Sequence, residues 1–186
     1  VSTAVGPEAL PSFRYHPDPV ATGALERRAI TCRCCGQDRD WVYAAAPYAV
    51  DDLHDALCPW CVADGSAAST FDASFTDLRG HDVPDDLPHH VIDEIVHRTP
   101  GFSAWQQERW LFHCGDGCAF LGAVGWDDLA RHPEAVATVL VQVAGWGLDG
   151  EDAEAFVGSL DTDGASTAYL FRCLHCDMHL AYADAD

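Results

Sequence analysis

Two cysteine pairs near the start of the chain constrain its fold more than any other feature. Cys32-Arg-Cys-Cys35-Gly36 and Cys58-Pro-Trp-Cys61 each place two thiols two residues apart, and twenty-two residues separate the pairs. A two-residue spacer lets both thiolates of a pair turn toward one ion, and two such pairs close a tetrahedral shell. Gly36 suits the tight turn that aims backbone N–H groups at the sulfurs. Cys32, Cys35, Cys58 and Cys61 are therefore expected to hold zinc. Four thiolates leave no open position for chemistry, so the expected role is structural. The rival reading is a redox dithiol at Cys58/Cys61, which needs a thiolate of lowered pKa; the upstream pair favours a shared metal. Cys34 is left over, as a free thiol or as a substitute for Cys32.

The chain has 186 residues, enough for one compact domain or two small ones. No apolar run reaches membrane-spanning length and no charged, apolar leader opens the sequence, so the expectation is a cytoplasmic protein. In such a compartment paired C-x2-C spacings read as metal ligands rather than disulfides. Asp and Glu number 30 against 10 basic residues, for a formal charge of −20. Every basic residue is Arg. That balance argues against duplex DNA as a partner and favours solubility and basic partners.

Hydrophobic periodicity organises the remainder. Residues 1–9 read as a disordered lead-in, and Phe13-Arg-Tyr15 as a short strand stopped by His16-Pro17-Asp18-Pro19. Leu25–Thr31 and Trp41–Tyr43 read as strands flanking the first knuckle, and Asp51–Leu57 as helical turns that deliver Cys58. Leu87–Arg98 is a helix capped by Asp86, with Leu87, Val91 and Ile95 on its apolar stripe. Glu108–His113 and Ala119–Val124 read as strands around Cys114-Gly-Asp-Gly-Cys118. Thr167–Arg172 and Met178–Tyr182 flank Cys173-Leu-His-Cys176. Two hairpins with cysteines at their tips predict a second zinc site from Cys114, Cys118, Cys173 and Cys176, with His175 and His179 as possible substitutes. Pro133–Ala144 and Asp152–Leu160 are helices between those hairpins. A boundary near Gly80 divides a zinc-ribbon-like module, 10–80, from an α+β body, 85–184; the alternative is that the two pack as a single domain. The fold class is α+β: the ribbon-like module, antiparallel hairpins carrying a second knuckle pair, and packed helices.

The acid/base candidates are His113, Asp116 and Glu108. A His–Asp pair can move protons or orient a knuckle by hydrogen bonding; with no nucleophile or open metal site beside it, orientation is the favoured role. His90, Glu94 and His97 share one helix face, but a di-metal site needs a second such helix, and a solvated polar face explains them. The sequence has no Gly-rich phosphate loop, G-x-S-x-G or H-E-x-x-H. Its six tryptophans read as packing rather than as a stacking platform for nucleic acid.

Three groups of residues carry a family resemblance: Phe13-x-Tyr15-His-Pro-Asp-Pro19; Leu57-Cys-Pro-Trp-Cys-Val-Ala-Asp-Gly-Ser-Ala-Ala68 with Phe71-Asp72; and Arg98-Thr-Pro-Gly-Phe102 with Trp105-Gln-Gln-Glu108 and His113-Cys-Gly-Asp116. Together they resemble the CbrC family of bacterial proteins, from about Leu10 to Tyr182. The resemblance implies no established activity. It implies a link to colicin tolerance, and so a binding or immunity role toward a basic partner such as a nuclease toxin. The alternatives are a hydrolase using a His113/Asp116/Glu108 pocket and a thiol redox protein using Cys58/Cys61.

Overall fold

The computed structural model describes residues 9–79 and 83–185. The expected lead-in and the boundary at Gly80 fall wholly or largely outside them. The first half is the hairpin of β1 (Leu25–Thr31) and β2 (Asp38–Tyr43), then α1 (Pro59–Ala63) and α2 (Ser66–Phe71). Phe13, Leu25, Tyr43, Leu53, Leu57, Val62 and Phe75 fill its core. The helical turns expected for Asp51–Leu57 are absent. The helix begins after Cys58, because Pro59 has the fixed φ suited to a first helical position and no N–H to lose there. Asp55 takes a left-handed φ of 55° and pairs with Arg28 instead.

Helix α3 (His89–Arg98) follows, starting two residues later than expected because Pro88 is extended and forms the N-cap; Asp86 does not cap it. Val91 and Ile95 face inward as the stripe requires. Only the last two residues of the expected strand 108–113 are extended, as β3 (Phe112–His113), paired with β4 (Asp116–Gly117). The chain continues through β5 (Ala119–Val124), α4 (Trp126–Leu129), α5 (Pro133–Gly145), α6 (Gly150–Gly158), β6 (Ser166–Arg172) and β7 (His179–Ala185). The last three strands form one antiparallel sheet in the order β5-β6-β7.

Alternation along β6 and β7 explains the layers. Tyr169, Phe171 and Tyr182 point to an aromatic core with Phe102, Trp110 and Phe120, while Ala168, Leu170, Ala181 and Ala183 meet the helices through Leu129, Val139, Val143 and Val157. Both faces of the sheet are thus buried. Strand β7 lies at the sheet edge, where its backbone would be unpaired. Helix α5 covers it: Thr138 Oγ1 donates to Ala181 O (2.9 Å) and accepts from Ala181 N (2.9 Å). The Gln142 amide does the same for Ala183, at 3.0 and 2.7 Å.

The N-terminal segment crosses from one half to the other. Phe13 packs in the first core and Tyr15 in the second, and Phe120 N donates to Tyr15 O at 2.8 Å. It forms no strand. His16 is fully buried against Phe120; its Nδ1 donates to Pro100 O (2.8 Å) and its Nε2 accepts from Thr22 Oγ1 (2.7 Å). Phe75 N also donates to Val96 O at 2.7 Å, so contacts span the division suggested near Gly80.

Two predictions follow from these contacts. Gln142→Ala strands a donor and an acceptor of Ala183 and should lower stability by about 1–3 kcal/mol in urea unfolding. Burial pushes the His16 pKa down to about 4, outweighing the Pro100 bond and Asp18, which act upward. The unfolded chain therefore takes up this proton first. His16 should remove roughly 3 kcal/mol of stability as pH falls from about 6.5 to about 4, with no effect above that window. The loss should be absent from His16→Gln, so the difference between the two pH profiles isolates it.

Candidate metal centres

The first centre is built from a hairpin tip and a helix start. Cys32 to Gln37 joins β1 to β2 as a knuckle: Cys32 N donates to Gln37 O (2.9 Å) and Gly36 N to Cys32 O (2.8 Å). Gly36 has φ 68°, which a side chain disfavours. Cys58 is the N-cap of α1 and Cys61 lies in its first turn. Cys58 N donates to Cys32 Sγ at 3.3 Å. The four sulfurs lie within 4.8 Å of one another, with Cys32–Cys61 and Cys35–Cys58 both at 3.9 Å. Around a tetrahedral ion with metal–sulfur bonds of about 2.3 Å, the sulfurs would stand about 3.8 Å apart. The site could therefore hold a metal ion and is compatible with zinc.

As free thiols these groups compete for protons. Cys32 is drawn down to about 4, first by the hydrogen bond from the Cys58 thiol and then by backbone N–H groups, against the opposing effect of burial. The same bond and burial push Cys58 up, and burial raises Cys61 to about 12. Three of the four are buried, and only Cys35 is exposed. Cys34 is not among the converging donors; its Sγ lies 3.5 Å from Ser66 Oγ and 3.8 Å from Thr70 Oγ1, against α2. All nine cysteines are free of disulfides.

The second centre repeats the knuckle. Cys173 N donates to Met178 O (2.8 Å), His175 N to Cys173 Sγ (3.4 Å), and Asp177 takes the left-handed position with φ 58°. Facing it is the β3–β4 hairpin, which turns through Cys114 (φ 52°) and Gly115 (φ 71°). The donors within 4.8 Å of one another are His113, Cys114, Cys173 and Cys176. Cys114 and Cys176 sulfurs are 3.8 Å apart, and His113 Nδ1 lies 3.3 and 3.4 Å from them. For a tetrahedral ion with an imidazole among thiolates, the nitrogen–sulfur separation would be about 3.5 Å. This set, too, could hold a metal ion.

Cys118 was expected among these donors and is not there. The Cys114–Cys118 segment is not a knuckle. It is a two-residue turn followed by a strand that carries Cys118 into the aromatic core beside Trp110, whose Nε1 donates to Cys118 O at 3.0 Å. Cys118 is fully buried, and that burial raises its thiol to about 12. His113 takes its place because the turn leaves residues 113 and 114 together at the tip. The adjacency of His113 to Cys114 was the available sequence signal. His175 and His179 are not donors either: His175 Nε2 bonds Asp116 Oδ2 at 2.8 Å, and His179 stacks on His132 with ring centroids 3.9 Å apart.

His113 and Asp116 are cross-strand partners, but their side chains serve different ends. Asp116, only 4% exposed, accepts from Tyr15 Oη (2.7 Å), His175 Nε2, its neighbour Gly117 N (2.8 Å) and Arg14. Burial alone would raise its pKa; these donors outweigh it and hold the carboxyl below its usual value. Glu108 is engaged elsewhere, accepting from Tyr48 Oη (2.7 Å) and Asp77 N (3.4 Å). Arg14 and Tyr15 were not identifiable as site residues, since about a hundred residues separate them from Asp116. On α3, His97 Nδ1 pairs with Asp93 at 2.9 Å on an exposed face.

An α+β fold with antiparallel hairpins and two thiol-rich clusters able to bind metal ions defines the class. The chain belongs to UPF0167, an uncharacterised protein family whose model matches residues 10–185. It is 51% identical over 178 residues to UPF0167 protein Mb2317 of Mycobacterium bovis, covering 96% of this chain and 95% of the relative. It is 41% identical over 182 residues to UPF0167 protein PA1536 of Pseudomonas aeruginosa, covering 95% and 97%. No solved structure matches. The resemblance to the CbrC family is corrected by these matches: both the family model and the relatives are UPF0167, and colicin tolerance does not carry over.

The two readings of the second donor set separate in metal counting. His113→Ala should lose one equivalent of metal per chain, whereas Cys118→Ala should keep both and lose about 1 kcal/mol of stability from core packing.

Proposed function

We propose that the protein is a zinc protein with two structural centres, and that it acts by binding a partner rather than by catalysis. The observation that carries this reading is the spacing of the donors. Sulfur pairs at 3.8 and 3.9 Å in two separate clusters match the edges of a thiolate tetrahedron around zinc. Zinc, with no geometric preference of its own, suits both a four-sulfur set and a three-sulfur, one-nitrogen set. Each set supplies four protein donors, the pattern of a closed structural site.

The acid/base candidates support a non-catalytic role. His113 is a proposed ligand, Asp116 carries bonds from four directions, and Glu108 satisfies a tyrosine and a backbone amide. Cys58 and Cys61 are buried among two further thiols, unlike an exposed redox dithiol of lowered pKa. For the partner, the excess of acidic side chains favours a basic macromolecule. Among the described residues, no helix is long and apolar enough to cross a membrane.

Metal analysis of untagged protein should return two equivalents of zinc per chain. Chelation should unfold the first half, since structural zinc supplies on the order of 10 kcal/mol in small domains. Retention of cooperative melting after complete metal removal, or a stoichiometry of zero, would overturn the reading.

A further inference from the structure

Hairpin β3–β4 is too short to stand alone. Each strand has two residues, and even longer isolated hairpins are marginal in water. Two sets of contacts hold it. At its tip, His113 and Cys114 face Cys173 and Cys176. Across the strand pair from His113, Asp116 receives Tyr15, Arg14 and His175. His175 belongs to the loop between Cys173 and Cys176, so Asp116 joins the donor loop to the N-terminal segment. The fit is close: a Cβ on Gly117 would stand 2.6 Å from Ile95 Cδ1 and 3.0 Å from Tyr15 Cε1. Tyr15 is wedged between the hairpin and α3, two residues from Phe13 in the other core.

We propose that the second centre and the N-terminal segment are coupled through Asp116. The metal holds the hairpin tip and the Cys173–Cys176 loop in the arrangement that lets Asp116 receive Tyr15 and Arg14. Those bonds in turn keep the donors gathered, so each element stabilises the other by the same free energy. This rests on the reading of His113, Cys114, Cys173 and Cys176 as a zinc site. Asp116, Tyr15 and Arg14 are positioning residues, one step removed from the metal. The coupling gives the exposed centre a structural output: its occupancy is felt where the chain bridges the two cores. The first centre, on β1–β2 and α1, serves as an internal control.

Zinc release to a coloured chelator tests the coupling. The two release phases are assigned with Cys176→Ser, which removes the second centre. Tyr15→Phe deletes only a hydroxyl, and Asp116→Asn keeps the shape but not the charge. Both should speed second-centre release about tenfold, the lower end for residues that support metal ligands, and leave the first phase unchanged. Conversely, Cys176→Ser should raise hydrogen exchange at the Phe120 amide, which donates to Tyr15 O, at least tenfold and leave α1 unaffected. Unchanged phases in Tyr15→Phe, equal acceleration of both phases, or unaltered protection of the Phe120 amide would overturn the coupling. A wild-type chain holding zinc only at the first centre would overturn the reading of the second site itself, and the coupling with it.

Discussion

The first half of the molecule depends on bringing four sulfurs from two distant chain segments to within van der Waals range. Thiols alone give little reason for this: a sulfur is a weak hydrogen-bond partner, and burying several titratable groups together sets them competing for protons. The shifts of Cys32 and Cys58 in opposite directions express that competition. A divalent cation bound there would replace the protons and make the cluster the strongest link in the region. The surrounding core is modest, and several of its members are alanines and cysteines. Geometry then follows from the sulfurs. The knuckle points N–H groups inward, and α1 starts at Cys58 with its unsatisfied amides toward the same point.

Much of this was legible because it is local. A C-x2-C pair followed by a residue able to take positive φ specifies a knuckle without reference to the rest of the chain, and both Cys32–Gly36 and Cys173–Asp177 obey it. The strands beside them follow from alternating side chains, and α5 and α6 from their apolar spacing. The failures share a cause: they turn on which of several local signals wins. Pro59 outweighed the acidic residues at 51 and 52 in setting where the helix begins. A two-residue turn at Cys114-Gly115, rather than a third knuckle, decided that His113 and not Cys118 faces the donors. The Asp116 contacts with Arg14 and Tyr15 are tertiary, and no local pattern announces them.

The two centres differ in setting. The first is enclosed, with one exposed donor, and it stands where a hairpin meets a helix. The second has two exposed thiols and lies at the meeting of two hairpins. An enclosed centre can dominate the stability of its half. An exposed centre, braced by a carboxylate that also holds a distant segment, is better suited to sense whether that segment is seated. The same fold thus supports one closed site and one whose state is tied to tertiary contacts.

Charge sharpens the need for both. The formal charge of −20, which already counts the ten arginines, opposes compaction even with pairs such as Arg28–Asp55 and Arg14–Asp116 in place. Zinc at the two centres would not relieve this repulsion. Four thiolates with one ion would carry about two negative charges and three thiolates with a neutral imidazole about one, so a protein filled with zinc would be more acidic than the sequence count. Any stabilisation by metal would therefore come from coordination, which is short-ranged, and would have to exceed a long-range repulsion that salt screens. Such a protein should gain stability with ionic strength, and the attraction proposed for a basic partner would weaken over the same range, so one charge excess would act on folding and on binding in opposite senses.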